Sequence, residues 1–315
     1  MTIDEMLGQA KAVAIFAHVH PDGDAIGSSL GLYRYIRDNF PEISAKVFLE
    51  AFPDKFRILC DAESIENEYR GEAFDLAFLL DTPSFDRIGA KGAECLANAK
   101  RTCNIDHHVS NPRNLCDVNI VEPASSSASE TLYMQLSPEK ISKDAANAFY
   151  LGIVHDTGVF KFSNTGKRTM DAVGSLIEKG CDFSKIINET FYTRSYTATR
   201  ITGFAMERCK TALDGKAVYT FLTPEELERF GASPLDLGSV IDAIREVSGT
   251  EVAIFFYPTG DDYKISLRSN YIVDVNRIAK AFAGGGHVRA AGATVHEKPE
   301  AVIPKILKMV EEQLD

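Results

Sequence analysis

A chain of 315 residues, 45% hydrophobic and 25% charged, has an ordinary globular composition and enough length for two domains. Its formal net charge of −11 argues against coating long duplex nucleic acid, which requires a broad basic excess, and suits a small anionic ligand held by metal and a few local cations. With no run of about 18 apolar residues, no leader pattern, and six cysteines without a C-x-x-C pair, the expectation is a cytoplasmic protein off the membrane, its cysteines buried free thiols.

Val13 to Phe16 are β-prone and lead into Ala17-His18, after which Pro21 and Gly23 break the extended run. Ala25, Ile26, Leu30, Leu32 and Tyr33 then recur at helical spacing. The pattern predicts a buried strand, a tight loop and an amphipathic helix. The loop holds His18, His20, Asp22 and Asp24, a donor set for a metal, at a strand end where open α/β sheets bind ligands. A solvated Asp-Gly turn would use the same residues.

Ala45 to Phe52 predicts a second strand, and Asp75 to Asp81 (DLAFLLD) a strand buried on both faces. A helix over Ala90 to Ala99 and a strand over Arg101 to Ile105 follow, the latter ending in Asp106-His107-His108. Alone, Asp81 is what a turn uses. Together, three strands end in acidic or imidazole side chains, and as parallel neighbours they would face one crevice. Adjacent residues on an extended backbone point to opposite sides, so one histidine can ligate while the other faces substrate, with Asp106 supporting the ligand. Ser127-x-x-Glu130 reads as a capping box rather than a catalytic serine. The helix over Ala145 to His155 delivers Asp156 at its end.

Lys167 to Gly180 and Phe183 to Leu213 predict helices, the second broken near Arg194-Ser195-Tyr196. A new pattern starts at Gly215: strand Lys216 to Leu222, helices Thr223 to Phe230 and Asp236 to Val247, then strands Glu251 to Pro258 and Tyr263 to Ser269 around a Gly260-Asp261-Asp262 turn. An amphipathic helix closes the chain at Asp315. Gly284-Gly285-Gly286-His287 admits two uses, amides presented to a phosphate or a helix C-cap. Arg268 and Arg289 lie near it in sequence and could pair with a phosphate.

HVHPDGDAIGS, LLDTPS, NIDHHVSN, GIVHDTGVF and GGGHVRAAG occur in the order found in the DHH-family phosphoesterases with a DHH-associated C-terminal domain, and from Val13 to Val295 the chain resembles that family. Within it the nanoRNases, bifunctional oligoribonucleases that dephosphorylate 3′-phosphoadenosine 5′-phosphate, are most similar. The resemblance implies an α/β fold: a parallel-sheet DHH domain (1–190), a helical linker (191–213) and a smaller α/β DHH-associated domain (214–315). It implies two Mn²⁺ ions, with Mg²⁺ or Co²⁺ as substitutes. His18, Asp22 and Asp81 would bind one ion, and Asp24, Asp81, His107 and Asp156 the other, Asp81 bridging. Asp106 would orient His107, His108 would face the scissile phosphate, and His20 stays outside the ligand set. Arg268, Ser269 and His287, with Gly284, Gly285 and Gly286 beside them, would contact substrate.

The implied function is hydrolysis of short oligoribonucleotides to mononucleotides, and removal of the 3′-phosphate from 3′-phosphoadenosine 5′-phosphate, by a protein that can be a homodimer. The alternatives are a cyclic di-AMP or pApA phosphodiesterase, a family II pyrophosphatase, and a non-catalytic nucleotide-binding relative. A metallo-β-lactamase motif is disfavoured, since Gly23 stands where H-x-H-x-D-H needs histidine.

Overall fold

The computed structural model describes residues 1–314. Internal contacts divide the chain into a first unit, Met1–Thr193, and a second beginning at Arg194.

In the first unit, α1 (Ile3–Leu7) leads into β1 (Ala12–Ala17), followed by α2 (Gly23–Asn39), β2 (Ser44–Phe48), β3 (Ile65–Glu66), β4 (Leu76–Leu80), α3 (Gly89–Asn98), β5 (Thr102–Asp106) and β6 (Val118–Val121). The strands form one sheet in the order β3-β2-β1-β4-β5-β6, every neighbouring pair parallel. β1 and β4 are continuously apolar because both sheet faces are covered. On one face Ile15, Phe78 and Leu80 join a core with Ile26, Leu30 and Phe149; on the other, Phe16 stacks on Phe48 at 4.9 Å beside Tyr69 and Phe74. The three strands expected to share a crevice, β1, β4 and β5, are parallel neighbours.

Four helices complete the unit: α4 (Ala128–Tyr133), α5 (Lys143–Asp156), α6 (Lys167–Glu178) and α7 (Phe183–Ile187). Ser127 caps α4 as expected, its Oγ accepting the Glu130 N–H at 2.9 Å. The return half of the capping box is missing. Glu130 is fully buried and accepts from the hydroxyls of Ser126 and Thr169 instead.

The second unit holds α8 (Tyr196–Glu207), β7 (Lys210–Ala212), β8 (Ala217–Phe221), α9 (Pro224–Phe230), α10 (Gly238–Arg245), β9 (Val252–Thr259), β10 (Asp262–Ser269), α11 (Val275–Lys280), β11 (Gly285–His287), β12 (Ala290–Val295) and α12 (Pro299–Leu314). Its sheet runs β11-β12-β10-β9-β8-β7 and is antiparallel except between β8 and β9. Alternation along β9 sends Val252, Ile254 and Phe256 to one core with Ile278 and Ile306, and Ala253 and Phe255 to another with Ile201 and Ile241. The helix expected to reach Leu213 stops at Glu207. Lys210–Ala212 instead pairs with β8, because Leu213, Asp214 and Gly215 (φ 51°, 52° and 84°) close a hairpin.

Among the described residues no helix is long and apolar enough to cross a membrane. All six cysteines are free thiols; Cys60, on a surface turn, is exposed, contrary to the expected burial.

Candidate metal centre

The strand order reverses between β1 and β4, and just past the carboxyl ends of those strands lie His18 and Asp81. His18 Nε2 is 3.4 Å from Asp81 Oδ2 and 3.8 Å from Asp22 Oδ1. Its Nδ1 lies 2.8 Å from the Val19 carbonyl oxygen, so that nitrogen carries a proton and Nε2 faces the carboxylates. Asp22 caps α2, its Oδ1 accepting the N–H groups of Asp24 and Ala25.

Asp81 adopts a left-handed backbone (φ 48°) and is 2% exposed. Its Oδ1 lies 3.6 Å from both His107 Nε2 and His108 Nδ1, yet receives no hydrogen bond among the described residues. A buried carboxylate oxygen without a donor, ringed by imidazoles, fits a cation.

Asp24, on the first turn of α2, accepts the Ala128 N–H at 2.6 Å and the Ser129 N–H at 2.9 Å, the leading amides of α4. Gly152 of α5 faces it; a Cβ there would lie 2.7 Å from Asp24 Oδ1 and 1.9 Å from Ser129 Oγ. Only glycine leaves that carboxylate its place. Asp156 ends α5, with Oδ2 3.2 Å from His107 Nε2. Ligand atoms of His18, Asp22 and Asp81 lie within 4.8 Å of one another, as do those of Asp24, His107 and Asp156. The six expected ligands therefore converge as two triads.

Burial works to lower the His18 pKa, but the carboxylates of Asp22 and Asp81 outweigh it and push it up to about 11; burial opposed by Asp81 and Asp156 brings His107 up to about 10. Burial and the nearby Asp81 push Asp24 up to about 7. Burial and Asp24 likewise hold Asp156 well above the usual carboxylate range. Asp81 goes the other way, since His107 and His18 overcome its burial. The cluster holds more negative charge than its imidazoles balance, and a bound cation would relieve it. Oxygen and nitrogen donors without a thiolate suit Mn²⁺ or Mg²⁺ better than a thiophilic ion.

One expected support differs. Asp106 does not orient His107; it is fully buried, and its Oδ1 lies 2.7 Å from His108 Nδ1. Its Oδ2 accepts from Asn111 Nδ2 at 2.7 Å, which also reaches Asn104 Oδ1. The turn after β5 swings His108, not His107, over the carboxylate. His108 Nε2 has no hydrogen-bond partner among the described residues. Asn104 and Asn111 were overlooked by residue-type reasoning, although they bracket Asp-His-His in sequence. His20 turns outward to Glu50, its ring 91% exposed.

In the second unit, Arg268 Nη1 donates to the Leu267 carbonyl at 3.0 Å, and burial holds its pKa below the usual arginine value. Ser269 is buried, with Oγ 3.4 Å from Arg289 Nη1. Arg289 is not half of a phosphate fork with Arg268: its guanidinium donates to the carbonyls of Val273, at 3.1 Å, and Tyr271. The glycine run serves packing as well as display. The N–H of Gly284 reaches the Ala279 carbonyl and that of Ala283 the Lys280 carbonyl, closing α11 in a Schellman cap whose left-handed residue is Ala283 (φ 56°). Gly284 itself is needed for contact, because a Cβ would sit 2.2 Å from the Gly292 carbonyl oxygen. Gly285, Gly286 and His287 form the exposed edge strand β11.

Residues 12–153 match the DHH family, N-terminal domain, and residues 214–315 the DHHA1 domain. The chain is 29% identical over 296 residues to the bifunctional oligoribonuclease and PAP phosphatase NrnA of Bacillus subtilis, covering 92% of this chain and 91% of that one. It is 29% identical over 310 residues to the protein of the same name from Thermus thermophilus, covering 96% and 90%. It is also similar to the crystal structure of an exopolyphosphatase-related protein from Bacteroides fragilis, with TM-score 0.90 and 28% identity over 98% of this chain and 94% of that one. The first unit thus carries a DHH-family N-terminal domain, and the second a DHHA1 domain.

Proposed function

We propose that this chain is a two-metal phosphoesterase that hydrolyses short oligoribonucleotides to mononucleotides and removes the 3′-phosphate from 3′-phosphoadenosine 5′-phosphate. The observation that carries the reading is Asp81, a buried carboxylate that belongs to the His18 triad, lies 3.6 Å from His107 of the other, and has one oxygen without a donor among the described residues. Two relatives with those activities in their names, similar over nine-tenths of both chains, support the choice of substrate.

His18, Asp22 and Asp81 would hold one divalent cation, and Asp24, Asp81, His107 and Asp156 the other, with Mn²⁺ first choice and Mg²⁺ or Co²⁺ as substitutes. Such a pair supplies hydroxide at neutral pH and neutralises charge on the reacting phosphate. His108, anchored through Nδ1 on Asp106, presents Nε2 to a phosphate oxygen or to the departing 3′-oxygen, which must gain a proton as its bond to phosphorus breaks. Arg268, Ser269, Gly284, Gly285, Gly286 and His287 hold the phosphate and terminal nucleotide of the substrate. The protein works in the cytoplasm, as monomer or homodimer, on small anions rather than long duplexes, in keeping with its charge of −11.

A product-resolved assay with Mn²⁺ tests this reading, using RNA dinucleotides, 3′-phosphoadenosine 5′-phosphate, pApA, cyclic di-AMP and pyrophosphate. Mononucleotides from the dinucleotides, and AMP plus phosphate from 3′-phosphoadenosine 5′-phosphate, are expected. Preferential turnover of cyclic di-AMP or pyrophosphate, or no metal-dependent turnover at all, would overturn it.

A further inference from the structure

The loop between β10 and α11 is held by more hydrogen bonds than a surface connection needs. Glu251, only 4% exposed, accepts the Ile272 N–H at 2.6 Å and the Val273 N–H at 2.9 Å through Oε1, and the Tyr271 N–H lies 3.2 Å from each of its oxygens. Asn270 Nδ2 donates to the Thr250 carbonyl at 2.8 Å, and Arg289 clasps the Tyr271 and Val273 carbonyls from the other side. Yet the side chains this framework carries are turned outward: Tyr271 is 78% exposed and Ile272 63%, and Val288, next to Arg289 in sequence, is 48% exposed. A fixed backbone presenting a free aromatic ring is a surface whose ordering cost is met before any ligand arrives.

The surroundings narrow the ligand. Between residues 268 and 290 the sequence has Arg268, Arg277, Lys280 and Arg289 against the lone carboxylate of Asp274, within a chain of net charge −11. Asp274 is engaged, its Oδ1 accepting the Asn276 and Arg277 N–H groups that open α11. An exposed ring on a cation-rich segment, two residues from Ser269 and with the Arg289 guanidinium on its own carbonyl, suits a molecule with both a flat face and a phosphate. Three exposed apolar side chains make too small a surface to hold a protein partner stably.

We propose that Tyr271 is the base-stacking residue of the second unit, the face against which the terminal nucleobase of the substrate rests, with Glu251 and Arg289 as its positioning residues. The proposal rests on the reading of Arg268, Ser269 and His287 as phosphate and nucleotide contacts.

Because the chain contains no tryptophan, Tyr271→Trp supplies the only indole, and its emission reports stacking directly. AMP should quench it, and ribose 5-phosphate, which lacks the base, should not. In steady-state kinetics Tyr271→Ala should raise KM for RNA dinucleotides about tenfold, the loss of one base stack, while Tyr271→Phe stays near wild type. Activity on bis(p-nitrophenyl) phosphate should be unchanged in both. Equal quenching by the two ligands, or an unaltered KM in Tyr271→Ala, overturns the proposal. So does a change of oligomeric state in sedimentation velocity with kinetics intact, which would make the loop an interface. Should the wild type cleave no dinucleotide, the proposed activity fails while AMP quenching of the tryptophan variant still decides the stacking role.

Discussion

A single carboxylate, Asp81, faces the imidazoles of His18, His107 and His108 and still keeps an oxygen without a donor. Asp81→Asn preserves its shape and removes the charge proposed to bridge the two ions. Mn²⁺ binding by calorimetry should fall from two sites to at most one weak site, and turnover should fall about a hundredfold or more, beyond what loss of an outer support costs. Two intact sites would refute the shared-ligand assignment. The neighbouring histidines divide differently. His107→Ala should lower metal content, whereas His108→Ala and Asp106→Asn should keep both ions and lower kcat about 10- to 100-fold, the two behaving alike because Asp106 is bonded to His108. If Asp106→Asn lost metal as His107→Ala does, that pairing would not operate in solution. The clustering of the proposed ligands was legible in the sequence because histidine and aspartate at strand ends are informative in themselves. Which histidine Asp106 would serve was not, since the answer lies in the turn after β5 and in Asn111.

At the scale of elements, the junction of α2, α4 and α5 fixes one end of the site. Asp24 is held by two backbone amides of α4, and Gly152 of α5 leaves room for it. Gly152→Ala should therefore overpack the junction by about 1–3 kcal/mol, lowering Tm by roughly 3–10 °C, and should weaken metal binding as well. A lower Tm with undiminished metal affinity would show that Asp24 is placed independently of α5. The strand–loop–helix opening, the buried β4 and the Ser127 cap could be read from the sequence, because apolar continuity and capping residues are local signals. The amide support of Asp24 could not, as a backbone N–H leaves no residue-type trace 104 positions away. β6 leaves a weak signal because it is four half-buried residues, and β7 because its three residues fall inside the stretch expected to be helical up to Leu213.

Across the whole molecule, two units with separate cores divide the proposed work between bond cleavage and recognition. Arg268 is half-buried and makes no ion pair with a carboxylate among the described residues, and its partial desolvation lowers its pKa. A guanidinium desolvated in this way gains much from an arriving phosphate. Arg268→Ala should raise KM and lower kcat on dinucleotides, a loss of about tenfold or more in kcat/KM for one charge-assisted contact, while bis(p-nitrophenyl) phosphate turnover changes little. Equal damage to both substrates would assign Arg268 to the cleavage step itself. Two domains of α/β type were legible from the change in pattern near Gly215. The boundary falls at Arg194, so α8 and β7, expected within a linker over 191–213, belong to the second unit.

The parallel sheet also sets a timetable. Its central pair, β1 and β4, joins segments about sixty residues apart in the chain, and the ligands run from His18 to Asp156. At about 5–20 residues per second, a ribosome adds Asp156 roughly 7 to 28 s after His18. Throughout that interval the nascent chain carries an apolar β4 in search of neighbours and a cluster of carboxylates without its last member. Capture of the proposed metal pair would thus be a late event in the protein's birth, and the shortest arrested chain that retains both ions should end beyond Asp156.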